Sequence, residues 1–121
     1  MEVKRLCWLG IRTDEYEAMV RFLRTAMGMR VEFEETGTTE LSLPSGDRIQ
    51  VFGPGSRYYD FFGQEARGPV ALFEVDDVRQ ARLELEREGI ETHGPVESDA
   101  RWDWVHFRAP DGNLYELASP R

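Results

Sequence analysis

The sequence is poor in the residues that bind metals and cross-link chains. Its 121 residues include one cysteine, Cys7, and two histidines, His93 and His106. A single cysteine excludes an intramolecular disulfide and a thiolate metal cluster, and it points to a reducing, cytoplasmic setting. Two histidines exclude a histidine-rich metal centre. Lysine is almost missing, since Lys4 is accompanied only by arginines among the basic residues. The 15 basic residues face 23 acidic ones, for a net charge of −8. That balance argues against a nucleic-acid partner, which needs a concentrated basic surface. It is compatible with a cationic ligand. No apolar run approaches the ~20 residues of a membrane span, and residues 1–5 lead into an apolar stretch too short for a secretory signal. A glycine-rich phosphate loop, a Gly-x-Ser-x-Gly elbow and a Cys-x-x-Cys pair are also missing. What remains is a chain of single-domain length that can bury a core without staples.

An internal echo organises it. Leu-Ser-Leu-Pro-Ser-Gly-Asp at 41–47 returns as Phe-Arg-Ala-Pro-Asp-Gly-Asn at 107–113, an offset of 66. Each copy sits between short alternating segments and reads as a hairpin turn. Residues 9–13 and 71–75 read as strands that each feed a helix. The first helix is expected from Asp14, with Glu17 as capping-box partner, and ends at Gly28. The second is expected from Asp76 or Asp77 and ends at Gly89. Strands follow at 30–35, 39–43 and 48–52, and again at 90–96, 104–108 and 113–118. The order is βαβββ twice: module one covers 1–55, a Gly/Pro-bounded aromatic joint 53–69, and module two 70–121. The fold class is α+β, with helices on one face of the sheets.

Alternation assigns the faces. Leu9, Ile11, Leu41, Ile49, Val51, Phe73, Val75, Val105, Phe107 and Leu117 share the parity that belongs under the helices. The opposite parity holds Trp8, Arg12, Glu40, Arg48, Gln50, Phe52, Val70, Glu74, Trp104, His106, Arg108 and Glu116. This second set mixes polar and aromatic groups as a small-molecule pocket does.

Three stretches of the sequence resemble a known family. Leu9-Gly10-Ile11-Arg12-Thr13-Asp14, running into the first helix, is similar to the opening of the vicinal oxygen chelate superfamily. That group includes glyoxalase I, bleomycin-resistance proteins and extradiol dioxygenases. Phe73-Glu74-Val75-Asp76-Asp77-Val78 resembles the start of its second module, and Ala109-Pro110-Asp111-Gly112-Asn113-Leu114-Tyr115-Glu116-Leu117 its closing hairpin. The resemblance implies two βαβββ modules pairing around a central cavity, a homodimer, and four inward strand positions that hold a divalent metal in the catalytic members. Those positions fall on Trp8, Gln50, Val70 and Glu116. Trp8 and Val70 offer a metal no lone pair, so no metal and no cofactor is expected.

Three functional readings follow. The first is metal-free binding of a small, planar or cationic organic molecule, resembling the antibiotic-sequestering members. Its ligand-binding residues are Trp8, Arg12, Arg48, Gln50, Phe52, Trp102, Trp104, His106 and Glu116. The second is a metal-independent isomerase or lyase in which His106 moves a proton and Glu116 orients it. The third is a metal-dependent lyase or dioxygenase. Plainer roles stand beside these: Trp102 and Trp104 at a sheet edge or dimer interface, His106 as a hydrogen-bonded pocket histidine, and the arginines as partners for Glu40 and Glu74. Partners are thus a small-molecule ligand and a second copy of the chain, with no nucleic acid and no membrane.

Overall fold

The computed structural model describes residues 1–65 and 68–121. Positions 66 and 67 of the expected joint lie outside them. The fold is α+β, and it divides into two compact units, residues Trp8–Pro69 and residues Met1–Cys7 with Val70–Arg121. The boundary falls inside the first strand, β1 (Arg5–Arg12).

In the unit of residues 8–69 the strand order is β2 (Arg30–Glu35), β3 (Thr38–Ser42), β4 (Arg48–Phe52), β1. The β2–β3–β4 ladders are antiparallel, and β1 runs parallel to β4 with Leu9 opposite Ile49 and Arg12 opposite Phe52. Parallel neighbours need a crossover, supplied here by α1 (Tyr16–Arg21) and the two strands after it. Val20 and Leu23 of this crossover bury against Leu41 and Val51, with Tyr16, Met19, Val31 and Ile49 around them. The core face is therefore the one that alternation selects.

The start of α1 differs from the expected capping box. Asp14 instead accepts a hydrogen bond from the Tyr59 hydroxyl, and Thr13 Oγ1 accepts from the Glu15 amide at 3.0 Å. No side chain caps the helix. Downstream, Phe22–Ala26 widens into a π-turn, with the Met27 amide bonded to the Phe22 carbonyl five residues back. Gly53 is required where α1 meets the end of β4, because a Cβ there would lie 2.3 Å from Tyr16 Cβ. The joint, undecided by the sequence, forms α2 (Arg57–Glu65).

In the second unit the order is β5 (Val70–Glu74), β8 (Leu114–Pro120), β7 (Trp102–Arg108), β6 (Glu91–Ser98). Helix α3 (Val78–Arg87) begins where the sequence predicts, with the Asp77 carboxylate accepting from the Arg79 and Gln80 amides. Val78 and Ala81 bury against Val75, Val105 and Leu117, flanked by Phe73, Leu85, Val96 and Phe107. Residues near the N-terminus belong here: the Lys4 amide donates to the Glu74 carbonyl at 2.8 Å, and Arg5 pairs with the Glu74 carboxylate at 2.5 Å.

Candidate functional site

In each unit the strand face turned away from α1 or α3 carries the polar groups. In the unit containing β7 and β8, His106 and Glu116 are direct cross-strand partners, so both side chains leave the sheet on one side. They meet there, with His106 Nε2 2.6 Å from Glu116 Oε1 and side-chain exposures of 5% and 4%. The second carboxylate oxygen, Oε2, is buried with no hydrogen-bond partner among the described residues. Leu117, one residue on, points the other way into the core. The same β-strand alternation that buries Leu117 therefore delivers the carboxylate to the opposite face.

Trp104 and Trp102 share the parity of His106 on β7 and are half-buried. The Trp104 indole donates to Glu97 Oε2 at 3.0 Å, from the cross-strand partner position on β6. Trp102 sits opposite Pro120, where the Asp99 carboxylate accepts from its amide at 2.8 Å. A row unseen in the sequence crosses this sheet, because His93 is the β6 partner of His106. The row is His93, His106 and Glu116. Its cause is a bulge between His93 and Glu97, around Gly94 at φ +77° and Pro95. The Gly-Pro pair inside an otherwise strand-like run was the available signal.

The unit of residues 8–69 carries the repeat-related arrangement. The 66-residue offset takes Glu40 to His106 and Gln50 to Glu116, and Glu40 and Gln50 are likewise cross-strand partners. Glu40 is satisfied on both oxygens, by Arg48 at 2.9 Å and by the Gln50 amide at 3.0 Å. The Arg48 guanidinium is thus committed to neutralising a carboxylate. Trp8 meets Phe52 edge-on at 5.9 Å. Phe52 is 1% exposed, because Tyr58 and Phe62 of α2 close over it at 5.5 and 5.3 Å. Arg12 is tied to α2 as well, donating to the Tyr59 carbonyl at 2.8 Å with its guanidinium 3.9 Å over the Tyr59 ring. Arg12 and Phe52 accordingly anchor the helix that the aromatic joint becomes.

Glu74 takes Arg5 as its partner, and Arg108 donates to the Gly112 carbonyl at 2.8 Å. Arg12, Arg48 and Arg108 thus each have a partner within their own unit. Burial, the largest influence, pushes the Cys7 thiol up to about 11; nearby Arg5 opposes this, and Glu74 and Glu116 add to it. Such a thiol is inert at neutral pH.

The four positions at which the resemblance puts a metal do not suit one. Val70 is an alkyl side chain, and Trp8 has only an N–H donor to offer. The Gln50 amide is engaged with Glu40, and Glu116 lies against His106. No group of three or more His, Cys, Asp or Glu side chains among the described residues is arranged to hold a metal ion. A centre built from three protein ligands and an open position does not fit these residues.

Comparison with known proteins agrees with the architecture. The sequence model of the Glyoxalase/Bleomycin resistance protein/Dioxygenase superfamily matches residues 5–117. Methylmalonyl-CoA epimerase from Mycobacterium tuberculosis superposes with a TM-score of 0.74 at 23% identity, covering 98% of this chain and 89% of that one. A glyoxalase/bleomycin resistance protein/dioxygenase superfamily member from Vibrio splendidus 12B01 gives 0.73 at 15% identity, covering 95% and 97%. A single-residue variant of Streptomyces coelicolor methylmalonyl-CoA epimerase, in complex with 2-nitronate-propionyl-CoA, gives 0.67 at 17% identity, covering 98% of each chain. Identities this low establish the shared fold alone. No curated protein is significantly similar in sequence.

Proposed function

Because the chain belongs to the Glyoxalase/Bleomycin resistance protein/Dioxygenase superfamily, we propose that it uses this fold to bind a small, planar or cationic organic molecule without a metal. The observation that carries the reading is the buried His106–Glu116 pair, whose carboxylate keeps one oxygen unpartnered among the described residues. An unsatisfied buried acceptor costs about 1–3 kcal/mol. Folding gains nothing from that cost, whereas a ligand offering a donor removes it. Trp104, its indole nitrogen held by Glu97, supplies an aromatic face on the same side of the sheet. The ligand chemistry of Trp8 and Val70 supports the metal-free part. Trp102, half-buried on the same face of β7, is a further candidate contact of this site; Trp8, Arg12, Arg48, Gln50 and Phe52 are candidate contacts within the unit of residues 8–69, with Arg12 and Phe52 acting through α2. We take the protein to be a cytoplasmic homodimer, a reading supported by the unpaired Cys7 and by the family resemblance; among the described residues no helix is long and apolar enough to cross a membrane.

The test is a tryptophan-fluorescence titration with planar organic cations on EDTA-dialysed protein whose metal content is checked by elemental analysis. Saturable quenching that survives EDTA and disappears in Trp104→Ala is the expected result. Quenching that appears only when a divalent metal is restored refutes the reading.

The 2.6 Å approach of His106 to Glu116 favours a second reading, metal-independent proton transfer in an isomerase or lyase. A histidine beside a fixed carboxylate is a competent acid/base group. Turnover that is lost in His106→Ala while ligand affinity is retained would select it over simple binding.

A further inference from the structure

The unpartnered oxygen of Glu116 specifies the ligand more closely than its shape does. Glu116 is 3% exposed, and its Oε1 already faces His106 Nε2. Other acidic groups of the same unit are partnered: Glu74 with Arg5, and Glu97 with the Trp104 indole. The basic groups nearby are also committed, Arg5 to Glu74 and Arg108 to the Gly112 carbonyl and, at 3.8 Å, to Glu91. Oε2 is therefore an acceptor that the described residues leave unsatisfied. An ionised carboxylate oxygen accepts hydrogen bonds and donates none. A ligand carboxylate at this place would put like charges together in a buried setting.

We propose that Glu116 Oε2 receives an N–H donor from the ligand, so that the site selects organic cations bearing N–H groups over quaternary ammonium ions and over carboxylates. Protonated amines and amidinium groups belong to the favoured class. The inference rests on the reading of this site as a ligand site. Trp104 attracts any cation through its ring, with or without an N–H. The hydrogen bond to Glu116 is what separates the two kinds of cation.

The experiment uses probes that share one ring. N,N-dimethylbenzylammonium and benzyltrimethylammonium differ by one N–H replaced by a methyl group, and benzoate reverses the charge. Each is titrated into the full chain while the Trp104 indole resonance is followed by NMR. N,N-dimethylbenzylammonium should bind at least about tenfold more tightly than the quaternary ion, the worth of one charge-assisted hydrogen bond. Benzoate should leave the resonance in place, and Glu116→Gln should remove most of the preference between the cations. Equal affinity for both cations, or tighter binding of benzoate, overturns the donor class and leaves the ligand-site reading standing. A resonance unmoved by all three probes at millimolar concentration overturns both. The ranking on the unsubstituted protein decides the matter even where Glu116→Gln fails to fold.

Discussion

Replacing His106 and Glu116 by leucine, singly and together, puts a number on the buried pair. At 2.6 Å the imidazole nitrogen and the carboxylate oxygen lie within hydrogen-bond reach, and a hydrogen bond to a charged group contributes about 1.5–3 kcal/mol. Withdrawing two such groups from water costs several kcal/mol each, so the pair as a whole contributes close to nothing. Removing one member is different. His106→Leu takes from buried Glu116 the group that faces its Oε1, and the expected loss is about 3–5 kcal/mol. Glu116→Leu should cost a similar amount. The double variant removes both polar groups and replaces them with side chains of comparable volume, and it should return to within about 1–2 kcal/mol of the parent stability, or exceed it. Urea unfolding at pH 7 measures all four proteins, and a loss of 3 kcal/mol lowers the midpoint by roughly 1–3 M for a chain of this size. Single variants that each lose less than about 1 kcal/mol, with a double variant that simply adds them, would refute the reasoning. Such a result would mean that water satisfies the pair, leaving Glu116 Oε2 no need of a ligand donor.

Other outcomes follow from the same structure. Phe52→Ala should destabilise by about 3–5 kcal/mol in urea melts, because the ring is fully enclosed by Trp8, Tyr58 and Phe62; a cost below about 1 kcal/mol would mark it as an exposed ligand contact instead. Asp77→Ala should remove about 1 kcal/mol by leaving the Arg79 and Gln80 amides uncapped, read as a lowered thermal midpoint. The Cys7 thiol, raised from 9.0 to about 11, should react with a disulfide reagent at pH 8 roughly tenfold more slowly than in urea. The thiolate fraction falls about a hundredfold, and the greater nucleophilicity of the more basic thiolate recovers part of it. Equal rates in folded and unfolded protein would contradict the buried setting.

The elements governed by local alternation were legible in the sequence. Strands β2 and β4 run over Arg30–Glu35 and Arg48–Phe52, as the pattern predicts, and Asp77 caps α3. Both cores use the expected parity. The same parity places His106 and Glu116 on one face, though their contact depends on a cross-strand register that sequence spacing alone does not fix. Elements that depend on distant partners were not legible. Helix α2 is short and aromatic, contains Gly63, and is held by packing on Phe52; its local signals were Ser56, whose Oγ accepts from the Tyr58 amide at 3.2 Å, and the helical spacing of Tyr58 and Phe62. Asp14 and Glu17 spell a capping box, but the Tyr59 hydroxyl draws Asp14 away from the helix. The place of His93 beside His106 turns on one bulge, which shifts a register that alternation assumes constant.

The division of the chain inside β1 also bears on the order of assembly. Residues 1–7 complete a unit whose remainder begins at Val70, so they leave the ribosome well before the segments they pair with. Residues 8–69 form a contiguous unit and can close on themselves during that interval. Joining the two separated pieces means closing a loop of about sixty residues, an entropic cost of roughly 4 kcal/mol for a flexible chain. Prior folding of residues 8–69 shortens the effective loop and lowers that cost. A circular permutant carrying residues 1–7 after Arg121 would dispense with the wait, and its refolding would show whether this closure sets the rate.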